Sequence, residues 1–135
     1  MELTGAVRFP DGAVVRGRGR DLPAGPSPEY GLYLAKRPEV PWHSEWLDWP
    51  DFRLPRDRAR AIELIKDLHR RALAGEAVEV ACLGGVGRTG TVMACVAVLS
   101  GVPAEEAVAW TRAHYHPKAV ETPWQRRWVR RFPAA

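Results

Sequence analysis

Ala81-Cys82-Leu83-Gly84-Gly85-Val86-Gly87-Arg88-Thr89-Gly90-Thr91 is the stretch from which the rest of this chain becomes readable. Ahead of it, Ala77 to Ala81 (AVEVA) reads as a short buried strand. After it, Arg88 to Ser100 reads as a helix that is apolar almost all round, and so central. Between them, Gly84, Gly85, Gly87 and Gly90 let the backbone bend tightly and turn its N–H groups inward. The helix starts near Arg88, so the positive end of its dipole faces the same point. That combination builds an anion cradle. Cys82 opens the cradle and Arg88 closes it six positions later. Inward N–H groups and a helix N-terminus favour a thiolate. A guanidinium can fork two hydrogen bonds onto phosphate oxygens. A thiolate, an anion cradle and a fixed guanidinium together suit nucleophilic attack on phosphorus.

Upstream of this loop, Arg58 to Ala74 reads as a helix, with Ile62, Ile65, Leu68 and Leu73 near helical spacing, Asp57 as its cap and Gly75 at its end. Trp42 to Pro55 is rich in Trp and Pro and reads as a short strand ending in a long loop. Tyr30 to Leu34 is a short apolar strand, and Pro23, Pro26 and Pro28 mark a loop before it. Leu3 to Phe9 and Ala13 to Gly17 read as two strands joined by the turn Pro10-Asp11-Gly12. Downstream, Gly101 stops the central helix. Pro103 suits the first position of a third helix, with Glu105 and Glu106 in its first turn. Thr122 caps a last helix whose first residue is Pro123 and whose apolar side is Trp124, Trp128 and Phe132. Strands, a strand–helix junction and further helices indicate a compact α/β domain.

Size and composition agree. The chain has 135 residues and a mass of 15.1 kDa, the size of one domain. Hydrophobic residues at 46% and charged residues at 27% describe a globular chain and exclude a disordered one. Val92 to Leu99, the longest apolar run, is far below the ~20 residues of a membrane span. The start, MELTGAVRFPDG, lacks a signal pattern, so a cytoplasmic protein without membrane attachment is expected. Two cysteines, Cys82 and Cys95, point away from a disulfide framework. Cys95 lies on the apolar helix and reads as core rather than as a redox partner of Cys82. Twenty basic residues, 17 of them Arg, against 16 acidic ones leave a net charge of +4, which favours anionic substrates.

The Cys-x5-Arg-Thr loop resembles the signature of cysteine-dependent protein tyrosine phosphatases, the dual-specificity group included. Trp49-Pro50-Asp51-Phe52-Arg53-Leu54-Pro55 is similar to that family's mobile general-acid loop, W-P-D-x-x-x-P, with Asp51 lying 31 residues before Cys82. Glu121-Thr122-Pro123-Trp124-Gln125 resembles the family's late glutamine loop. The resemblance spans Trp46 to Phe132, while residues 1–40 carry no matching motif. It implies one phosphatase domain over 1–135, with a short, mainly parallel central sheet flanked by helices. It also implies roles. Cys82 would attack the phosphoryl group and form a phosphocysteine. Leu83, Gly84, Gly85, Val86 and Gly87 would offer backbone N–H groups to the phosphate, and Arg88 would bind substrate and transition state. Asp51 would protonate the leaving oxygen and then act as base for the hydrolytic water. Thr89 would hydrogen-bond the sulfur, and Gln125 would position the water. No metal and no cofactor is implied. The expected substrate is a phosphotyrosine protein or peptide, with phosphoserine and phosphothreonine open, and the expected state is a monomer. Ala81 departs from the pattern, because the family usually carries His just before the cysteine. One support of the thiolate is thereby missing, and the backbone N–H groups and Arg88 remain.

Other readings compete. Gly85-Val86-Gly87-Arg88-Thr89-Gly90 is also a G-x-G-x-x-G between strand and helix. Only 45 residues follow Gly90, too few for the rest of a dinucleotide-binding sheet. No Gly-Lys-Ser/Thr triplet supports a nucleotide phosphate loop. A non-catalytic phosphate-binding module is the rival that Ala81 keeps open, and a small-molecule phosphatase is another. Gln125 stands three residues after Thr122, a capping-box spacing that explains it without chemistry. Arg126, Arg127, Arg130 and Arg131 make one side of the last helix basic, which reads as a solvated face more readily than a nucleic-acid contact. The four histidines show no metal-ligand clustering apart from His114 and His116 at i, i+2, a pair near a helix end that reads as a solvated terminus.

Overall fold

The computed structural model describes residues 3–134, so the outermost positions of the expected 1–135 domain lie outside the described residues. Five strands form one sheet: β1 (Val7–Arg8), β2 (Val14–Arg18), β3 (Tyr30–Tyr33), β4 (His43–Trp46) and β5 (Val78–Ala81). Their order is β1-β2-β5-β3-β4. Only β1 and β2 run antiparallel; the other three pairings are parallel. The first 40 residues, which carry no motif, therefore supply both neighbours of the central strand β5. The turn Pro10-Asp11-Gly12 forms as expected: Phe9 N donates to Ala13 O at 2.8 Å, and Asp11 Oδ1 accepts from Ala13 N at 3.0 Å. The ladder before it is shorter than Leu3 to Phe9, pairing only over Val7–Arg8. Ahead of it the chain is already turning, with Ala6 N bonded to Leu3 O at 3.1 Å.

Register separates two faces of the sheet. Val78 pairs with Val15 and Tyr30, and Val80 with Gly17 and Leu32. These residues make an apolar face. Helices α1 (Arg58–Leu73) and α2 (Gly87–Leu99) both pack on β2 and β5 and on each other, which covers that face. Helices α3 (Ala107–His114) and α4 (Pro123–Arg130) pack on α2 and on each other. Every residue of α2 from Gly87 to Val98 is buried, as its all-round apolar composition requires. Each large side chain in such a core contributes roughly 1.5–3 kcal/mol by leaving water. Among the described residues, no helix is long and apolar enough to cross a membrane.

Glu79, fully buried in mid-strand, faces the other way, and the sheet satisfies it completely. Arg16 Nη2 donates to Oε1 at 2.7 Å, Arg18 Nη2 to Oε2 at 2.8 Å, and Tyr33 OH to Oε2 at 2.6 Å. Trp42 Nε1 in turn donates to Tyr33 OH at 2.7 Å. Burial alone would raise the Glu79 carboxyl; the hydrogen bonds from Arg18, Tyr33 and Arg16 outweigh it and hold the group below its ordinary value.

Helix boundaries follow the caps. Asp57 Oδ1 accepts from Arg60 N at 3.0 Å, so α1 starts where expected. Leu73, counted above in its apolar stripe, points outward at 49% exposure; Ala61, Leu64, Ile65, Leu68 and Ala72 make the buried face. Helix α3 starts at Ala107 and not at Pro103, because residues 103–106 form a turn closed by Glu106 N on Pro103 O at 2.9 Å, and Glu106 offers no side-chain cap. On α4 the buried side is Trp128 and Val129, with Phe132 following; Trp124 is half exposed and belongs to the site described next.

Candidate active site

Cys82 follows the last residue of β5, and its N–H donates to Arg18 O at 3.3 Å, which continues the parallel ladder by one bond. The chain then turns sharply to reach α2. Gly85 makes that turn with φ +73°, where a Cβ would collide with Gly19 N and lie 2.6 Å from the Arg18 carbonyl carbon. The end of β2 supports the loop from below, with Arg20 N donating to Leu83 O at 3.0 Å. Tyr115 OH donates to Gly85 O, and its pKa is raised by burial and by the charge of Cys82.

The turn points donors at the sulfur. Gly85 N lies 3.2 Å and Thr89 Oγ1 3.0 Å from Cys82 Sγ, and both can donate to it. Thr89 does so from within the first turn of α2. Arg88 stands beside it, 4% exposed, with Nη1 donating to Trp49 O at 2.8 Å. Its Nε is buried without a hydrogen-bond partner, and Asp51 Oδ1 lies 3.5 Å away. A buried guanidinium N–H left in that condition costs about 1–3 kcal/mol, and an anion oxygen would recover it.

Asp51 sits on the loop between β4 and α1, which is pinned at several points. Trp49 is buried against Trp128 with ring centroids 5.5 Å apart, and its Nε1 donates to Arg53 O at 2.7 Å. Phe52 takes a left-handed φ of 60°. From α4, Trp124 Nε1 donates to Phe52 O at 2.6 Å and Gln125 Nε2 to Arg53 O at 3.3 Å. The Asp51 carboxylate itself remains half exposed.

These elements enclose a cleft of about 160 Å³, into which Asp51, Cys82, Gly87, Arg88 and Glu121 all face. Gly84 and Val86 also line it. Thr89 lies beneath, reaching the cleft through the sulfur, while Leu83 is exposed beside it. Gln125 does not face the cleft. Thr122 Oγ1 accepts from Gln125 N at 3.1 Å, and Gln125 Oε1 accepts from Thr122 N at 3.2 Å and Glu121 N at 3.0 Å, a complete capping box. Glu121 is the residue that the motif reading passed over. Its carboxylate lies so close to Gly87 that a Cβ there would collide with it. A larger cavity of about 610 Å³ between β4 and α1 lacks the cysteine and Arg88, and four of its charged residues pair with one another, Arg56 with Asp48 and Arg60 with Glu45, each at 3.0 Å.

The arrangement gathers the Cys82 thiol, the Arg88 guanidinium and the Asp51 carboxylate around one cleft, with the Gly85 N–H and the Thr89 hydroxyl on the sulfur. A thiol, a guanidinium and a carboxylate around one cleft are groups that can serve displacement at a phosphoryl centre. Solved structures share the fold. The active form of Tk-PTP matches with a TM-score of 0.67 at 25% identity, over 93% of each chain. Kinase associated phosphatase shares the fold with a TM-score of 0.66 at 18% identity, over 77% of this chain and 67% of that one. The Yvh1 phosphatase domain from Chaetomium thermophilum does so with a TM-score of 0.65 at 16% identity, over 96% and 99%. No curated protein matches the sequence. The sequence model of protein-tyrosine phosphatase matches residues 31–121, two thirds of the chain and all of the cysteine loop and acid loop, and the chain belongs to that family.

Proposed function

We propose that this protein hydrolyses phosphotyrosine in proteins or peptides through a phosphocysteine intermediate, and that residues 1–135 act as one phosphatase domain. The observation that carries the reading is the buried Nε of Arg88, which has no hydrogen-bond partner and only the half-exposed Asp51 carboxylate near it, in the cleft that Cys82 also lines. Cys82 Sγ attacks phosphorus as the bond to the tyrosyl oxygen breaks. Arg88 and the N–H groups of residues 83–87 carry the equatorial oxygens. Asp51 delivers its proton to the departing oxygen. Water then attacks phosphorus, the P–S bond breaks, and Asp51 takes the water's proton. Thr89 donates to the sulfur and eases its departure as thiolate. Glu121, facing the same cleft, orients the water, and Gln125 acts one step removed by holding the Glu121 backbone and the acid loop.

The test is hydrolysis of a simple aryl phosphate without added metal by the native protein, Cys82→Ser and Asp51→Asn. Activity abolished in Cys82→Ser and lowered by about 10²–10⁴ in Asp51→Asn supports the mechanism. A folded native protein that binds phosphate but hydrolyses nothing would leave a binding module in its place.

A further inference from the structure

Tyr115 stands where α3 ends, its N–H donating to Thr111 O at 2.8 Å, and its side chain reaches across to β2 and the cysteine loop. Gly17 of β2 makes the room for it: a Cβ there would lie 2.7 Å from Tyr115 Cζ and 2.8 Å from its hydroxyl oxygen. The segment that follows is fixed too, because Arg112 donates to Ala119 O and to Val120 O, each at 2.7 Å. The hydroxyl donates to Gly85 O. Burial and the charge of Cys82 raise the Tyr115 pKa, so the group stays a neutral donor. The peptide it holds, Gly85–Val86, lies in the run Gly84-Gly85-Val86-Gly87, whose glycines impose few steric preferences of their own. In a trans peptide the C=O and N–H point in opposite directions. Tyr115 lies outside the cleft and Val86 lines it, so a carbonyl held on Tyr115 turns the Val86 N–H to the cleft side. A donor on the carbonyl also polarises the peptide and strengthens its N–H. The Gly85 N–H, meanwhile, is one of the two donors on Cys82 Sγ, at 3.2 Å. Ala81 brings no hydrogen-bonding side chain beside the cysteine, so these loop N–H groups matter the more.

We propose that Tyr115 is a positioning residue for the reaction: its hydroxyl fixes the Gly85–Val86 peptide so that the Val86 N–H meets a phosphoryl oxygen and the Gly85 N–H stays on Cys82 Sγ. The inference rests on the phosphatase reading of the cleft. Without the hydroxyl the peptide is free to rotate and to present its carbonyl oxygen to the cleft, where it repels the phosphoryl group.

Tyr115→Phe tests it, because it keeps the ring against Gly17 and removes only the hydroxyl. The urea midpoint is expected to stay near native while kcat/KM for a small aryl phosphate falls by about tenfold. Calorimetric binding of inorganic phosphate to Cys82→Ser, with and without Tyr115→Phe, separates positioning from packing. Phosphate should bind several-fold more weakly when the hydroxyl is missing, an effect that a purely structural tyrosine would not produce. Equal phosphate affinity overturns the assignment, whatever happens to the urea midpoint. If the native protein hydrolyses no aryl phosphate, the phosphatase reading fails separately. The alkylation rate of Cys82 against pH then decides for Tyr115. A titration moved to higher pH in Tyr115→Phe supports the brace, because a loosened Gly85 N–H stabilises the thiolate less, and an unmoved titration overturns it.

Discussion

Asp51 Oδ1 lies 3.5 Å from Arg88 Nε, and the two residues are held very differently. The guanidinium is buried and fixed by Trp49 O at 2.8 Å; the carboxylate is half exposed on a loop. A phosphoryl oxygen arriving at that Nε would stand beside Asp51. The carbonyl that fixes Arg88 belongs to the acid loop itself, so the two halves of the site are set against each other by one hydrogen bond.

Arg88→Lys is the sharpest test of that relationship. Lysine keeps the charge but loses the fork, and its single ammonium cannot hold Trp49 O and a phosphate oxygen in the same geometry. We expect kcat/KM for an aryl phosphate to fall by about 10²-fold or more, with a near-native circular dichroism spectrum. A loss below threefold would show that charge alone suffices.

Trp124 and Gln125 separate loop control from stability. Trp124 is half exposed and bonds Phe52 O, so Trp124→Ala should leave the melting temperature nearly unchanged and lower kcat several-fold by loosening the acid loop. Gln125→Ala removes a buried capping box as well as the bond to Arg53 O, and should cost about 1–2 kcal/mol in denaturant unfolding. Equal effects of the two substitutions on stability would contradict the division.

The sequence made the site more legible than the scaffold beneath it. Cys82, Arg88, Asp51 and Thr89 come together because a short strand, a glycine turn and an apolar helix are local features, and the acid loop announces itself by its Trp and Pro. Three things escaped. Glu121 lines the cleft, which nothing in its own sequence context signals, while Gln125, the residue the resemblance singled out, is folded into the capping box. Leu73 and Trp124 follow helical spacing, but only packing decides which edge of an amphipathic face is covered. The ion-pair network of Arg16, Arg18, Tyr33 and Glu79 joins residues up to 63 positions apart, and nothing local in AVEVA says where Glu79 finds its partners.

That network carries a pH prediction. The Glu79 pKa is lowered in the folded protein, because hydrogen bonds from Arg18, Tyr33 and Arg16 outweigh burial. Its contribution to stability is therefore present above its ordinary value of 4.5 and is lost as pH falls through the lower folded value. Glu79→Gln leaves Arg16 and Arg18 facing each other in the sheet and should cost about 3–5 kcal/mol at neutral pH. It should also flatten the part of the acid-side decline that Glu79 contributes. Urea unfolding of both proteins from pH 7 down to pH 3 checks this, and parallel declines would remove Glu79 from the account.

Two adjacent glycines in the cysteine loop should behave oppositely. A Cβ on Gly84 meets nothing within 4 Å, and its backbone is not left-handed. Gly84→Ala should therefore change stability by less than about 0.5 kcal/mol. Gly85 sits at φ +73°, and its Cβ would press into the backbone of Arg18 and Gly19, which has no flexible side chain to yield. The left-handed conformation alone costs a non-glycine residue about 1–2 kcal/mol, and the collision adds to it. Relief requires the loop to move away from β2, which carries the Gly85 N–H away from Cys82 Sγ. Gly85→Ala should lose most aryl phosphate hydrolysis and lower the melting temperature, while Gly84→Ala keeps a near-native melting temperature. If the two variants behave alike, the loop is not braced against β2 in the way these contacts require.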